Sequence, residues 1–363
     1  MKYKRLLNLA LFVCLLPSIF SCSQSQEPIK IGAIIPLTGK ASQHASIAEG
    51  MELAIDEVNR LGGINGHPLE MILIDSETDP EAAKRAFAKI ESESQPHLYV
   101  SSTSAVTLAL APLAEKSQVV LTGLVVSSPQ FPLQQEWSFK YYNSSSGEFR
   151  PILSLVTDKG IERLGVIYQN DAYGTATLKA VKDMTKESGI TIYSQPFETK
   201  QSDISKEVAK LSELEAILVI GFVKNTAKVL QQLHKSGYQG IKLSGPGGAS
   251  IQRDNPEMNE VYISVPNVYD LRNPVVNMVK KDYEVRFNKT FSHQAAGGYD
   301  LIKLLNKVMQ GQEITRENIQ KRLNAQISYS GIFGNINKEE GEHEIGFPMF
   351  KSQIIDGRLI YIE

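Results

Sequence analysis

Residues 29–37 read IKIGAIIPL. The run is apolar at almost every position over the length of one strand, as a strand covered on both faces requires; a strand with one wet face would alternate. It ends in Pro36-Leu37-Thr38-Gly39, a loop signal. Beyond it Ile47, Met51, Ala54, Ile55, Val58 and Leu61 recur at helical spacing and predict one apolar face, stopped by Gly62-Gly63. Leu69–Asp75 (LEMILID) predicts the next strand, and Asp79-Pro80-Glu81 supplies a cap, a first-turn proline and a first-turn acid for the following helix. His97–Val100 and Val119–Leu124 predict two more strands, with a helix over Leu108–Lys116 between them. Strand and helix in alternation define a parallel sheet with helices on both sides.

The same rhythm starts again downstream. Leu164–Gln169, Ile190–Phe197, Ala216–Phe222 and Val261–Val265 predict strands, separated by helical stretches near Gly174–Ser188, Asp203–Leu211 and Asn225–Ser236. After Pro274 come two long helices, Val275–Phe287 and Ala295–Met309, then short strands around Gly334–Asn337 and Gln353–Glu363. At 363 residues the chain exceeds one compact core. With no Pro-rich or Ser-rich linker between the blocks, two lobes joined by short crossovers are expected.

The first 21 residues stand apart. Lys2, Lys4 and Arg5 precede an apolar run from Leu6 to Phe20 that is short for a membrane span, the pattern of an export signal. Cys14 and Cys22 are the only cysteines, so an exported body starting at Cys22 has no second cysteine to pair with. Loss of residues 1–21 moves the net charge from −2 to −5, which gives no reason to expect a nucleic acid partner. Cys22 followed by polar Ser23–Glu27 resembles a bacterial lipoprotein signal, although Phe20 stands where a small residue is usual. Lipidation at Cys22, a tether over 22–27 and a place in the bacterial cell envelope, periplasmic or otherwise extracytoplasmic, are the expectation.

Four further stretches carry a resemblance. GGINGHPLEMILIDSETDP (62–80), YQNDAYG (168–174), AGGYDLIKLL (296–305) and the tail FGNINKEEGE with IIDGRL (333–359) are similar, in order and spacing, to the substrate-binding proteins of branched-chain amino acid type ABC transporters. The resemblance implies an α/β fold of two doubly wound parallel-sheet lobes joined by a three-crossover hinge. Residues 28–142 plus 272–325 would form the first lobe and 143–271 plus 326–363 the second. It also implies a small-molecule ligand held between the lobes and an ABC permease in the inner membrane as partner.

Ligands of open α/β sheets sit beyond the carboxyl ends of the strands, where helix N-termini present free N–H groups. Ser101-Ser102-Thr103-Ser104 lies at such a point, and a helix cap needs only one of those hydroxyls. The resemblance assigns a ligand carboxylate to Ser104, with Thr103 beside it, and further contacts to the Val125 carbonyl and the Ser127 hydroxyl. On the facing lobe it points to Tyr173 and Phe222, and in the first loop to His44, where relatives carry tyrosine. In relatives that bind amino acids, a loop of the second lobe reads Gly-Pro-Glu-Gly, and its glutamate neutralises the ligand's ammonium. Here the loop is Gly245-Pro246-Gly247-Gly248. With Gly247 offering no carboxylate, a carboxylate or amide ligand is expected in preference to a zwitterionic amino acid, unless Glu49, Asp171 or Asp254 compensates.

Other patterns point elsewhere. KEEGEHE (338–344) reads as a solvated charged hairpin and not as a metal site, and Asp75, Glu77 and Asp79 as a strand end and a cap and not a calcium loop. No GxSxG, HExxH or phosphate-loop motif occurs, so no catalytic residue, metal or cofactor is expected. The alternative to transport is a ligand sensor or a protein-binding regulator of envelope enzymes, which a genomic neighbourhood without permease genes would favour.

Overall fold

The computed structural model describes residues 26–132, 135–270 and 272–362. The export segment and Cys22 therefore lie outside the described residues. The first half runs β1 (Ile29–Ile35), α1 (Ala45–Arg60), β2 (Leu69–Asp75), α2 (Pro80–Ser94), β3 (Leu98–Ser102), α3 (Ser104–Lys116), β4 (Val120–Leu124) and β5 (Ser138–Tyr141). The second half runs α4 (Ser145–Asp158), β6 (Arg163–Gln169), α5 (Ala172–Thr185), β7 (Thr191–Phe197), α6 (Ser205–Ala209), β8 (Ala216–Ile220), α7 (Val223–Lys235), β9 (Ile241–Ser244) and β10 (Tyr262–Pro266). The chain then returns through α8 (Pro274–Phe287), α9 (His293–Met309) and α10 (Arg316–Asn324). It closes with β11 (Ile327–Gly331), β12 (Gly334–Lys338), β13 (Met349–Ile355) and β14 (Arg358–Tyr361).

Two sheets result. The first is parallel in the order β2-β1-β3-β4-β5; the second is β14-β13-β10-β9-β8-β6-β7, parallel up to β10 and antiparallel at β13 and β14. β1 shows why its sequence is apolar throughout. Ile29, Ile31, Ala33 and Ile35 pack with α1 and α9, while Ile34 points into the opposite cluster with Phe87, Val106 and Leu110 of α2 and α3. The predicted cap of α2 forms as expected, Asp79 Oδ1 accepting from the Ala82 amide at 2.7 Å. Leu61 departs from its predicted place: it follows the last turn of α1 and is 83% exposed.

The chain passes between the sheets three times, after β5, after β10 and before β13. Residues 327–347 depart from the expected boundary at 326. The β11–β12 hairpin buries Ile327, Ile332, Phe333 and Ile336 in the core of the first sheet. Asp300 of α9 fixes it there, accepting from Tyr329 Oη at 2.6 Å, Tyr141 Oη at 2.7 Å and the Ile332 amide at 3.1 Å. Only β13 and β14 join the second sheet.

KEEGEHE also differs from the solvated turn expected of it. Lys338 is buried, its Nζ donating to the carbonyls of Asn324, Glu339 and Glu342 at 3.2, 2.8 and 2.9 Å. Glu344 accepts from buried Lys140 at 3.2 Å and from the Ser144 amide at 2.8 Å. Among the described residues no cluster of histidine, cysteine and carboxylates could hold a metal ion.

Candidate functional site

Each sheet has a switch in strand order, at β1/β3 in the first and β6/β8 in the second. Loops leaving strands on either side of such a switch diverge and open a crevice. From the first half His44 follows β1, Thr103 and Ser104 follow β3, and Val125 and Ser127 follow β4; from the second, Tyr173 follows β6, Phe222 follows β8 and Gly247 follows β9. All eight line one cavity of about 30 Å³ between the halves. At about 10–15 Å³ per water, that is room for roughly two water molecules. A groove of about 850 Å³ on the crossover side is larger, but it contains none of the eight, and its Arg272 and Lys280 are paired with Asp270 and Glu284.

The four-hydroxyl stretch divides its labour. Ser101 Oγ meets Thr107 Oγ1 at 2.8 Å and Ser102 Oγ meets His44 Nδ1 at 2.6 Å. Thr103, the residue before α3, makes no cap bond through its side chain, and its buried Oγ1 has no partner among the described residues. A helix cap therefore does not account for it. Thr103 and Val125 have φ of 70° and 53°. For β-branched residues this costs of order 1–3 kcal/mol each, and such strain collects at ligand loops.

The facing wall is aromatic. Tyr173 stacks on Phe222 with centroids 5.6 Å apart, and His44 meets the edge of Phe222 at 6.1 Å across the cavity. Gln169 at the end of β6 holds this wall, its Oε1 accepting from Asn225 Nδ2 at 2.7 Å and the Phe222 amide at 3.4 Å. Lys40 reaches across to Asp171, the cap of α5, at 2.9 Å. Burial pushes the His44 imidazole down to about 4, so the ring is neutral at pH 7.

Gly247 lies in a short turn over Pro246–Ser250 packed against the β8–α7 loop, where a Cβ would come within 3.2 Å of the Gly221 carbonyl. Of the acids considered as substitutes for one at 247, none lines the cavity. Glu49 binds Tyr283 and Lys289, Asp171 binds Lys40, and Asp254 lies in the loop beside Gly357. The acid that does line it is Glu148, together with Gln43, Tyr142, Gly221, Val223, His293 and Gln294, none of them singled out from sequence. Both polar atoms of the Gln43 amide are buried without partners among the described residues. His293 Nδ1 lies 3.1 Å from Tyr269 Oη, and burial, reinforced by the nearby His44, pushes its imidazole down to about 3. Burial pushes the Glu148 carboxyl up to about 7, against the pull of the Ser127 and Tyr142 hydroxyls and of Lys140.

Two lobes, three crossovers and one polar cavity at the strand ends are the layout of a receptor that holds a solute between its halves. The profile of the periplasmic binding protein family matches residues 28–358, and the chain belongs to that family, a non-enzymatic class that works outside the cytoplasm. It is 22% identical over 368 residues to Leu/Ile/Val-binding protein homolog 7 of Brucella melitensis, covering 92% of this chain and 91% of that one. Among solved structures it superposes on the branched-chain amino acid substrate-binding protein LivJ of Streptococcus pneumoniae in complex with isoleucine, with a TM-score of 0.82, 19% identity, and coverage of 92% of this chain and 99% of that one. Leucine-binding protein LivK of Thermotoga maritima gives a TM-score of 0.81 at 19% identity, covering 92% of this chain and 98% of that one. At these identities the superpositions establish the fold.

Proposed function

We propose that the protein is an extracytoplasmic receptor, tethered by a lipid on Cys22, that closes its lobes over one small polar organic molecule and delivers it to an ABC permease of the inner membrane. The observation that carries the reading is the convergence of eight residues from six different strand ends on one cavity, with Thr103 Oγ1 buried there and without a partner among the described residues. Closure follows from the layout: a ligand touching both walls stabilises the closed arrangement over the open one by its differential affinity. With the halves this close the cavity has room for about two waters, so entry of an organic solute requires the hinge to open.

The acceptor end of the ligand, a carboxylate or an amide carbonyl, is assigned to Thr103, Ser104 and Ser127 at the N-terminus of α3, where free amides favour negative charge. That end fits the carboxylate or amide expected from the sequence. The case against an amino acid rested on the missing side chain at Gly247, and Glu148 supplies an acid to the cavity from another direction. LivJ was solved in complex with isoleucine and LivK is a leucine-binding protein, which makes amino acids part of the test.

A thermal-shift panel of the mature chain against amino acids, their deaminated acids, amides and small aromatic acids tests the reading. A binder at a hundred times its dissociation constant adds about 2.7 kcal/mol of stability. We expect at least one hit, and Ser104→Ala is expected to weaken it by about 1.5–3 kcal/mol, ten- to a hundredfold or more. A hit untouched by Ser104→Ala would place the ligand elsewhere; silence across the panel would favour the sensor or protein-binding regulator.

A further inference from the structure

One side chain of the cavity has no structural partner equal to its charge. Glu148 is 3% exposed. Its Oε1 accepts from Tyr142 Oη at 3.2 Å, its Oε2 makes no hydrogen bond of ordinary geometry among the described residues, and the Ser127 hydroxyl is the other polar group near the carboxyl. The backbone that carries it is clamped. The Ser145 amide and hydroxyl both donate to the Ser127 carbonyl, at 2.7 and 2.9 Å, and the Ser264 hydroxyl donates to the carbonyl of Glu148 itself at 2.5 Å. The nearby cation is already committed: Lys140 Nζ gives its three donors to the Ser128 carbonyl, Ser144 Oγ and Glu344, at 3.0, 2.8 and 3.2 Å. No lysine or arginine lines the cavity among the described residues, and its two histidines are neutral at pH 7. A buried acid kept in this way asks for a partner that arrives from outside.

We propose that Glu148 is the cation-binding group of the cavity: with Tyr142 beside it, it accepts a positively charged nitrogen of the ligand, the role for which Gly247 has no side chain. The inference rests on the receptor reading and narrows the ligand class to small organic ammonium compounds that also carry an acceptor end. Position explains the exchange of sites. The loop at 245–248 is tightly packed, Gly245 against the Phe149 ring and Gly247 with room for a Cβ only at 3.2 Å from the Gly221 carbonyl, while the first turn of α4 brings Glu148 to the same cavity.

The test is titration calorimetry of the mature chain at pH 7, in phosphate and in Tris, which differ in heat of ionisation. The probes are L-alanine and L-leucine with their des-amino acids propanoate and 4-methylpentanoate. Glu148, pushed up to about 7, is half protonated at this pH and ionises against a cation, so an amine-bearing probe should release about half a proton on binding. The other groups facing it stay fixed: Tyr142 and Tyr173 are held protonated by burial, and His44 and His293 are neutral. Glu148→Gln, which keeps shape and removes charge, should weaken the amine-bearing probes by roughly a hundredfold or more and leave the des-amino acids unchanged or tighter. Tyr142→Phe, which removes the hydroxyl on Oε1, should increase the proton release. Tighter binding of the des-amino acids by the wild-type chain with uptake of a proton would overturn the proposal and make Glu148 a donor to an anion. Amine-bearing probes bound equally by wild type and Glu148→Gln would also overturn it. Failure of all four probes to bind the wild-type chain overturns the proposal; the receptor reading falls only if the wider panel is silent as well, a result distinct from either of the others.

Discussion

Gly298→Ala is expected to destabilise the protein by about 3 kcal/mol or more, while Gly297→Ala, one residue earlier in the same helix, is expected to be neutral or slightly stabilising. α1 and α9 cross with their backbones in contact. A Cβ at Gly298 would lie 2.1 Å from the Ile47 carbonyl, and the reciprocal Gly50 would place one 1.9 Å from the Ala295 carbonyl. Relief requires the helices to part, which opens the packing of Ile47, Met51, Ala54 and Ile55 against Ala295, Ile302 and Leu305. At Gly297 the added methyl would meet only Leu124 Cδ2 at 3.5 Å, an ordinary contact, and alanine gains about 0.5–1 kcal/mol over glycine in a helix interior. Urea unfolding of the two variants checks the contrast; equal effects would mean that the helices do not cross at Gly298. Because α9 also carries His293 and Gln294 into the cavity, Gly298→Ala should weaken ligand binding as well.

Stability of the ligand-free protein is expected to rise from acid pH and to level off near neutrality. His44 and His293 are pushed down from 6.5 to about 4 and about 3, so between those values and 6.5 the unfolded chain binds protons that the folded one refuses. Acidification through that window therefore removes stability, on the order of 3–5 kcal/mol for each histidine. Glu148 works in the opposite sense. Raised from 4.5 to about 7, it holds in the folded state a proton that the unfolded chain has lost, so its effect lowers stability by about 3 kcal/mol as pH rises from 4.5 to 7. Two histidines outweigh one carboxyl up to about pH 7, where the opposing effects cancel. Denaturant unfolding at intervals from pH 4 to 8 should show the rise and the plateau. His293→Gln should flatten the rise and Glu148→Gln should steepen it; a flat profile in the wild-type chain would contradict the burial assigned to all three.

The legible part of the fold was the part whose burial is two-sided. β1, β3, β4 and β8 are buried at nearly every position, and their unbroken apolar runs announced a parallel sheet. Less legible was β5, Ser138–Tyr141, four residues with a lysine in the middle, because Lys140 is buried by a polar cage that no periodicity displays. The hairpin at 327–338 alternates buried and exposed positions and gives no sign of which core it joins; Asp300, far away in sequence, decides that.

In the site, the residues singled out by a strand end and a motif line one cavity, and those depending on a helix's orientation were missed. Glu148 follows Ser144-Ser145-Ser146-Gly147 and reads as an ordinary first-turn acid. Only the docking of Ser145 on the Ser127 carbonyl turns that face of α4 inward. His293 and Gln294 open α9 with no motif of their own, and the pairing of Gly298 with the Ile47 carbonyl sets the height at which they enter the cavity.

The central claim is that a small molecule held between the two sheets draws the halves together. Small-angle X-ray scattering of the mature chain with the tightest binder from the panel tests it directly. The radius of gyration is expected to fall on saturation, and Ser104→Ala is expected to need about ten- to a hundredfold more ligand for the same fall. A binder that raises the melting temperature while leaving the scattering of the wild-type chain unchanged would contradict it.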